Sequence, residues 1–149
     1  MIDRNTIINS IPYPIRSFFE IESMEFEDNE QYQTAIKAFI TAVDIINSHC
    51  HINKKVVLIF GSRQMQIDID GIPFSYHIPQ PVLHLHIRNF IYLNVVESST
   101  LSYESQVGAY LEELVHAFMN ARNEELTHKI VELLYPCVKH SVEYGFVKR

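Results

Sequence analysis

Over residues 30–48 the apolar side chains Tyr32, Ala35, Ile36, Phe39, Ile40, Val43 and Ile46 recur at intervals of three and four. At about 3.6 residues per turn that spacing gathers them on one face and predicts a helix with a buried side. Asp28 or Asn29 can cap its start with a side-chain oxygen. Further along the period drops to two. Residues 55–60 form a short apolar run ending at Gly61, and Met65, Ile67 and Ile69 alternate with Gln66 and Asp68 up to Asp70-Gly71. That pair tolerates the positive φ of a tight hairpin turn, so a strand is expected to return over 72–78, near an edge because Pro73 cannot donate to a ladder. Two more strands are expected over 82–87 and 90–97, around Arg88-Asn89.

After Ser98, Ser99 and Thr100 the helical period returns. Val107, Leu111, Leu114 and Phe118 fall within about one third of the circumference and mark a core stripe. Continuing the same helix would put Ile130, Val131 and Leu134 on its wrong side, so the phase breaks over 120–123. Asn123 then caps a second helix, with Glu124 and Glu125 in its favourable first turn and Leu126, Ile130, Leu133 and Leu134 as its expected buried positions. Pro136 ends it, and the tail has room for one more turn. Near the start, Ile11-Pro12-Tyr13-Pro14 bars a continuous helix, and a short strand is expected over 17–22. Together these segments predict an α+β fold: a backing helix, a small and mostly antiparallel sheet, then two or three C-terminal helices, all in one domain over 1–149.

Composition narrows the function. The chain has 149 residues, 47% of them hydrophobic and 20% charged, with a formal net charge of -6. A nucleic-acid partner is not expected, because no window concentrates the Lys and Arg needed to neutralise phosphates. No apolar run approaches the roughly 20 residues that span a bilayer, and the opening residues lack the pattern of a secretory signal, so the expectation is a cytoplasmic protein without a membrane partner. Cys50 and Cys137 are far apart and form no CxxC pair, so neither a thiolate zinc site nor a disulfide framework is expected. The eight histidines keep metal and acid–base chemistry open.

The strongest chemical lead lies on the first of the late helices. Glu112 and His116 stand four apart and are neighbours on one face, with Glu113 beside them and Asn120 a turn further on, all opposite the core stripe. Two ligands at this spacing can grip one metal ion, and the adjacent carboxylate can act as a general base. His84 and His86 share one face of a strand, a spacing that also suits a metal, and they would join His116 if strand and helix pack together. A second ExxH, Glu125 to His128, adds His128 as a further candidate ligand. Paired ExxH motifs also occur in ferritin-like dimetal proteins, but there they sit on long helices of a bundle rather than after a β-rich middle.

Glu112-Glu113-Leu114-Val115-His116 resembles the HExxH helix of zincin-type, zinc-dependent metallopeptidases, with Glu112 where the family has its first histidine. The resemblance extends over 30–134 to the order of elements in a gluzincin-type domain: backing helix, small sheet, active-site helix, then a helix that contributes a glutamate. It implies zinc held by Glu112, His116 and either Glu124 or Glu125, with Glu113 as the base. It also implies that the strand over 90–97 is the edge along which an extended peptide is held. A carboxylate at 112 adds negative charge where imidazole is usual. The expectation is therefore a degenerate zincin-like domain that binds metal with weak or no peptidase activity. The alternative is a non-catalytic interaction or regulatory module, a homodimer among its forms.

Overall fold

The computed structural model describes residues 1–149. Asp3 accepts a hydrogen bond from the Thr6 N–H and starts a helix the periodicity did not reveal, α1 (Arg4–Ser10). The proline-rich stretch then forms a 3-10 segment (Tyr13–Phe18) that leads into strand β1 (Phe19–Ser23). The long helix α2 (Glu30–His49) is capped by Asn29, whose side chain accepts from the Tyr32 N–H. Strands β2 (Val56–Gly61), β3 (Gln64–Ile69), β4 (Ile72–His77), β5 (His84–Ile87) and β6 (Phe90–Asn94) follow. Both Asp70 and Gly71 take positive φ at the β3–β4 turn, as that dipeptide suggested. A short helix α3 (Val95–Ser98) replaces the end of the expected last strand, and two longer helices complete the helical part: α4 (Tyr103–Met119) and α5 (Glu124–Leu134). The buried side of α5 is not the expected one: Leu126 and Leu133 are exposed and Ile130 and Leu134 only partly covered, because the helix turns Thr127 and Val131 inward.

The main sheet has the order β1-β2-β6-β5 and is mixed rather than mostly antiparallel. β1 and β2 pair in parallel, as do β2 and β6, and only β5 runs antiparallel to its neighbour β6. The physical reason is burial on both faces. Val56, Leu58 and Phe60 join the main core with α2 and α4, while Ile59 belongs to a second cluster under Met65 and Tyr76 of the β3–β4 hairpin. Such two-sided strands read as continuous apolar runs, the usual mark of parallel pairing. β6 is likewise interior, so the sheet's edges are β1 and β5, and the edge strand beside α4 is β5 and not the 90–97 segment expected from the resemblance.

Residues 138–148 also differ from expectation. Instead of a further helical turn they form an antiparallel hairpin, β7 (Val138–Ser141) and β8 (Gly145–Lys148), turning near Gly145 at φ 70°. Phe146 of β8 packs directly on Gly108 of α4, where an added Cβ would stand 2.8 Å from the Phe146 Cβ. Helix α4 is therefore enclosed by α2, the sheet, α5 and this hairpin, and few of its residues reach solvent. At the centre, Phe39 meets Phe60 edge-on at 4.9 Å and Tyr110 at 5.8 Å. One core joins Ile2 at one end of the chain to Phe146 near the other. No helix is long and apolar enough to cross a membrane.

Candidate metal centre and its cleft

Asn120 ends α4 in the left-handed conformation, at φ 52° and ψ 30°, and lets the chain reverse within a few residues. Asn123 then caps α5 by accepting from the Leu126 N–H at 2.9 Å. The tight turn brings the first turn of α5 against the last turns of α4, so Glu124 and His128 face Glu112 and His116. His128 Nε2 lies 2.9 Å from Glu112 Oε1 and 3.8 Å from Glu124 Oε2, while His116 Nε2 lies 3.4 Å from Glu124 Oε1. Donor atoms of Glu112, Glu124 and His128 all lie within 4.8 Å of one another.

The cluster thus forms between helices and not on a solvated face, as the position opposite the core stripe had suggested. Glu113 is only 7% exposed. Burial, reinforced by the Glu112 and Glu124 carboxylates, pushes its pKa well above the ordinary range, so it favours a held proton. Burial and the Glu124 charge push Glu112 up to about 7. His128 and His140 are shifted the other way, chiefly by burial, and favour the neutral ring that can ligate a metal. His116 Nδ1 donates to the Ala121 carbonyl at 2.6 Å, which turns Nε2 toward Glu124.

The two candidates for the third ligand separate cleanly. Glu124 reaches the cluster, whereas Glu125 pairs with Lys129 at 2.8 Å on the exposed side of α5 and takes no part in it. His128, a secondary candidate from sequence, is the imidazole nearest Glu112. His140 stacks on His128 with ring centroids 3.4 Å apart, and Phe146 meets His128 edge-on. His140 is absent from the sequence-derived metal candidates because its strand, β7, is too short for periodicity to mark it clearly. The alternation of Val138, Lys139 and His140 was the available signal.

Strand β5 does pack along α4. His86 lies parallel to His116 at 6.1 Å, and its Nε2 is buried without a hydrogen-bond partner. His84 is 4% exposed, stacks on Tyr110, and accepts the Asn94 N–H at Nδ1, while its Nε2 is also buried and unpartnered. Neither belongs to the group of three close donors. Between β5 and the end of α4 runs a cleft of about 650 Å³, lined by His84, His86, Glu113, His116 and Glu124. Lys54, Arg88 and Arg122 also line it, and none of them stood out in the sequence. No family model, curated protein or solved structure matches the chain.

Proposed function

We propose that this chain is a zincin-like domain that holds one divalent metal ion, zinc by its donor chemistry, between α4 and α5, with weak or no peptidase activity. The observation that carries this reading is the convergence of Glu112, Glu124 and His128, with His116 on the far side of Glu124. Donors at about 2.1 Å around a tetrahedral zinc ion stand roughly 3.4 Å apart. The separations of 2.9 Å and 3.4 Å within the cluster need only small side-chain shifts to match. Two carboxylates and two neutral imidazoles also give a divalent ion a site with no net charge, which suits partial burial. The nearby Ala121 carbonyl, which fixes the His116 tautomer, is the outer support that metal-ligating imidazoles commonly have.

Bound zinc would supply Lewis acidity, but two carboxylate donors offset its charge and weaken that effect. Weak or absent peptidase activity follows from this. Glu113 is the residue able to take and return a proton in the cleft, and β5 offers the strand edge beside it. Elemental analysis of protein purified without a histidine tag tests the reading. One equivalent of zinc, lost in His128→Ala and weakened in His116→Ala, is expected; a protein that neither carries nor takes up zinc would overturn it.

The competing reading, a non-catalytic interaction module or homodimer, draws on the exposed apolar side chains Ile72 and Phe74 of β4 and Leu126 and Leu133 of α5. Sedimentation of the metal-free protein discriminates. A concentration-dependent dimer, together with no zinc uptake, would favour the module.

A further inference from the structure

The cleft beside β5 has a charge pattern the metal centre does not require. The chain has 12 Lys and Arg against 18 Asp and Glu. Even so, Lys54, Arg88 and Arg122 line this single cleft. The carboxylate ion pairs of the molecule within 4.0 Å involve Arg4, Arg63, Lys129, Lys148 and Arg149, and none of these three. The one side-chain hydrogen bond of Lys54 goes to the neutral side chain of Asn120, at 3.4 Å. In an acidic protein, unpaired cations gathered at one concavity focus a positive potential that raises the local concentration of anions.

The wall of the cleft adds an independent observation. His84 is almost fully buried, and its Nδ1 accepts the Asn94 N–H. In the neutral ring the proton therefore sits on Nε2, a donor with no partner. Burying an unpaired donor is unfavourable, and an oxygen acceptor reaching it from the cleft would offset that cost. Cations at the rim and an unpartnered N–H in the wall together describe a ligand that carries both a negative charge and carbonyl oxygens.

We infer that the cleft between β5 and the α4–α5 turn binds a carboxylate-bearing peptide, with Lys54, Arg88 and Arg122 receiving the carboxylate and the His84 Nε2–H receiving a backbone carbonyl. The inference rests on the proposed function only in taking the occupant to be an extended chain along β5; the charge selectivity is independent of any metal. A peptide fits better than a nucleic acid because the Glu124 carboxylate lines the same cleft and opposes a continuous phosphate backbone more than a single carboxylate that can sit by the cations. A carboxylate can come from an acidic side chain or from a peptide C terminus, and either satisfies the recognition chemistry.

Four alanine-based octapeptides separate these sources: two glutamates with a free C terminus, the same peptide amidated, and the two corresponding glutamine peptides. Their binding is measured by calorimetry at low salt, on protein treated with EDTA and on protein loaded with zinc. Carboxylate peptides should bind roughly ten-fold tighter than the neutral one, an effect that a few partly exposed charge pairs can supply. The joint substitution Arg88→Gln and Arg122→Gln, both on exposed side chains, should erase that preference without changing zinc content. Dependence on glutamate assigns a side chain, and dependence on the free terminus assigns the C-terminal carboxylate. Equal affinity for all four peptides, no binding, a preference that survives the double substitution, or tighter binding of a single-stranded oligonucleotide through the same arginines overturns the inference. Selectivity in the EDTA-treated protein with no zinc uptake would refute the metal reading alone. Zinc uptake with no selectivity would refute this one alone.

Discussion

His84 carries a consequence for acid stability that its place on an alternating strand did not advertise. Burial lowers its pKa from 6.5 to about 3, so the unfolded chain takes up a proton over that interval while the folded chain does not. Stability from this residue is complete above about 6.5 and is lost as the pH falls toward about 3. His84→Gln keeps an acceptor for the Asn94 N–H but takes up no proton, so its melting temperature should fall less steeply between pH 6.5 and 4. An unchanged slope would show that acid sensitivity lies elsewhere. Glu113 behaves oppositely: because burial favours its protonated form, Glu113→Gln is nearly isosteric and should shift stability by less than about 1 kcal/mol in urea titrations. Glu113→Ala leaves a cavity and should cost about 2 kcal/mol or more. The sequence revealed which residues could react but misjudged their surroundings. Counting one apolar stripe on α4 left Glu113 facing water, whereas strand β5 and the α4–α5 turn close over that side.

Elements were legible wherever one face alone is buried. The period of α2, the phase break at 120–123, the Asn123 cap and the Asp70-Gly71 turn all have local causes. Strand pairing does not, since the apolar runs of β2 and β6 fit either direction until the positions of the helices are known. The alternating residue types of β5, His84-Leu85-His86-Ile87, against the mostly apolar run of β6, Phe90-Ile91-Tyr92-Leu93, are the sequence's mark of which of the two lies at the edge. Capping gives a test at this scale. Asn123→Ala and Asn29→Ala each remove a side-chain acceptor at a helix start and should each cost about 1 kcal/mol. If the proposed centre holds zinc, only Asn123→Ala should also weaken its binding, because α5 carries the proposed ligands Glu124 and His128 whereas α2 carries none. Equal zinc affinity in both variants would mean that the α5 cap does not position the centre.

The molecule as a whole is fastened where β8 crosses α4. Gly108→Ala gains helix propensity, about 1 kcal/mol, but its new methyl group meets Phe146 Cβ at 2.8 Å and Cγ at 2.9 Å. Overpacking against the root of a side chain typically costs about 1–3 kcal/mol, so the net change in denaturant midpoint should be destabilising. Pairing it with Phe146→Leu should recover part of the loss. A stabilised Gly108→Ala would mean that the hairpin yields freely. The same crossing sets the order of events during synthesis, which proceeds from the N terminus. Phe146 and His140 enclose His128, so the pocket around that imidazole is still open when α5 leaves the ribosome and closes only after β8 has emerged. A chain truncated before residue 138 and carried clear of the ribosome on an unstructured linker should therefore hold zinc at the proposed centre loosely or not at all, and a closed centre would then report that the last hairpin has emerged.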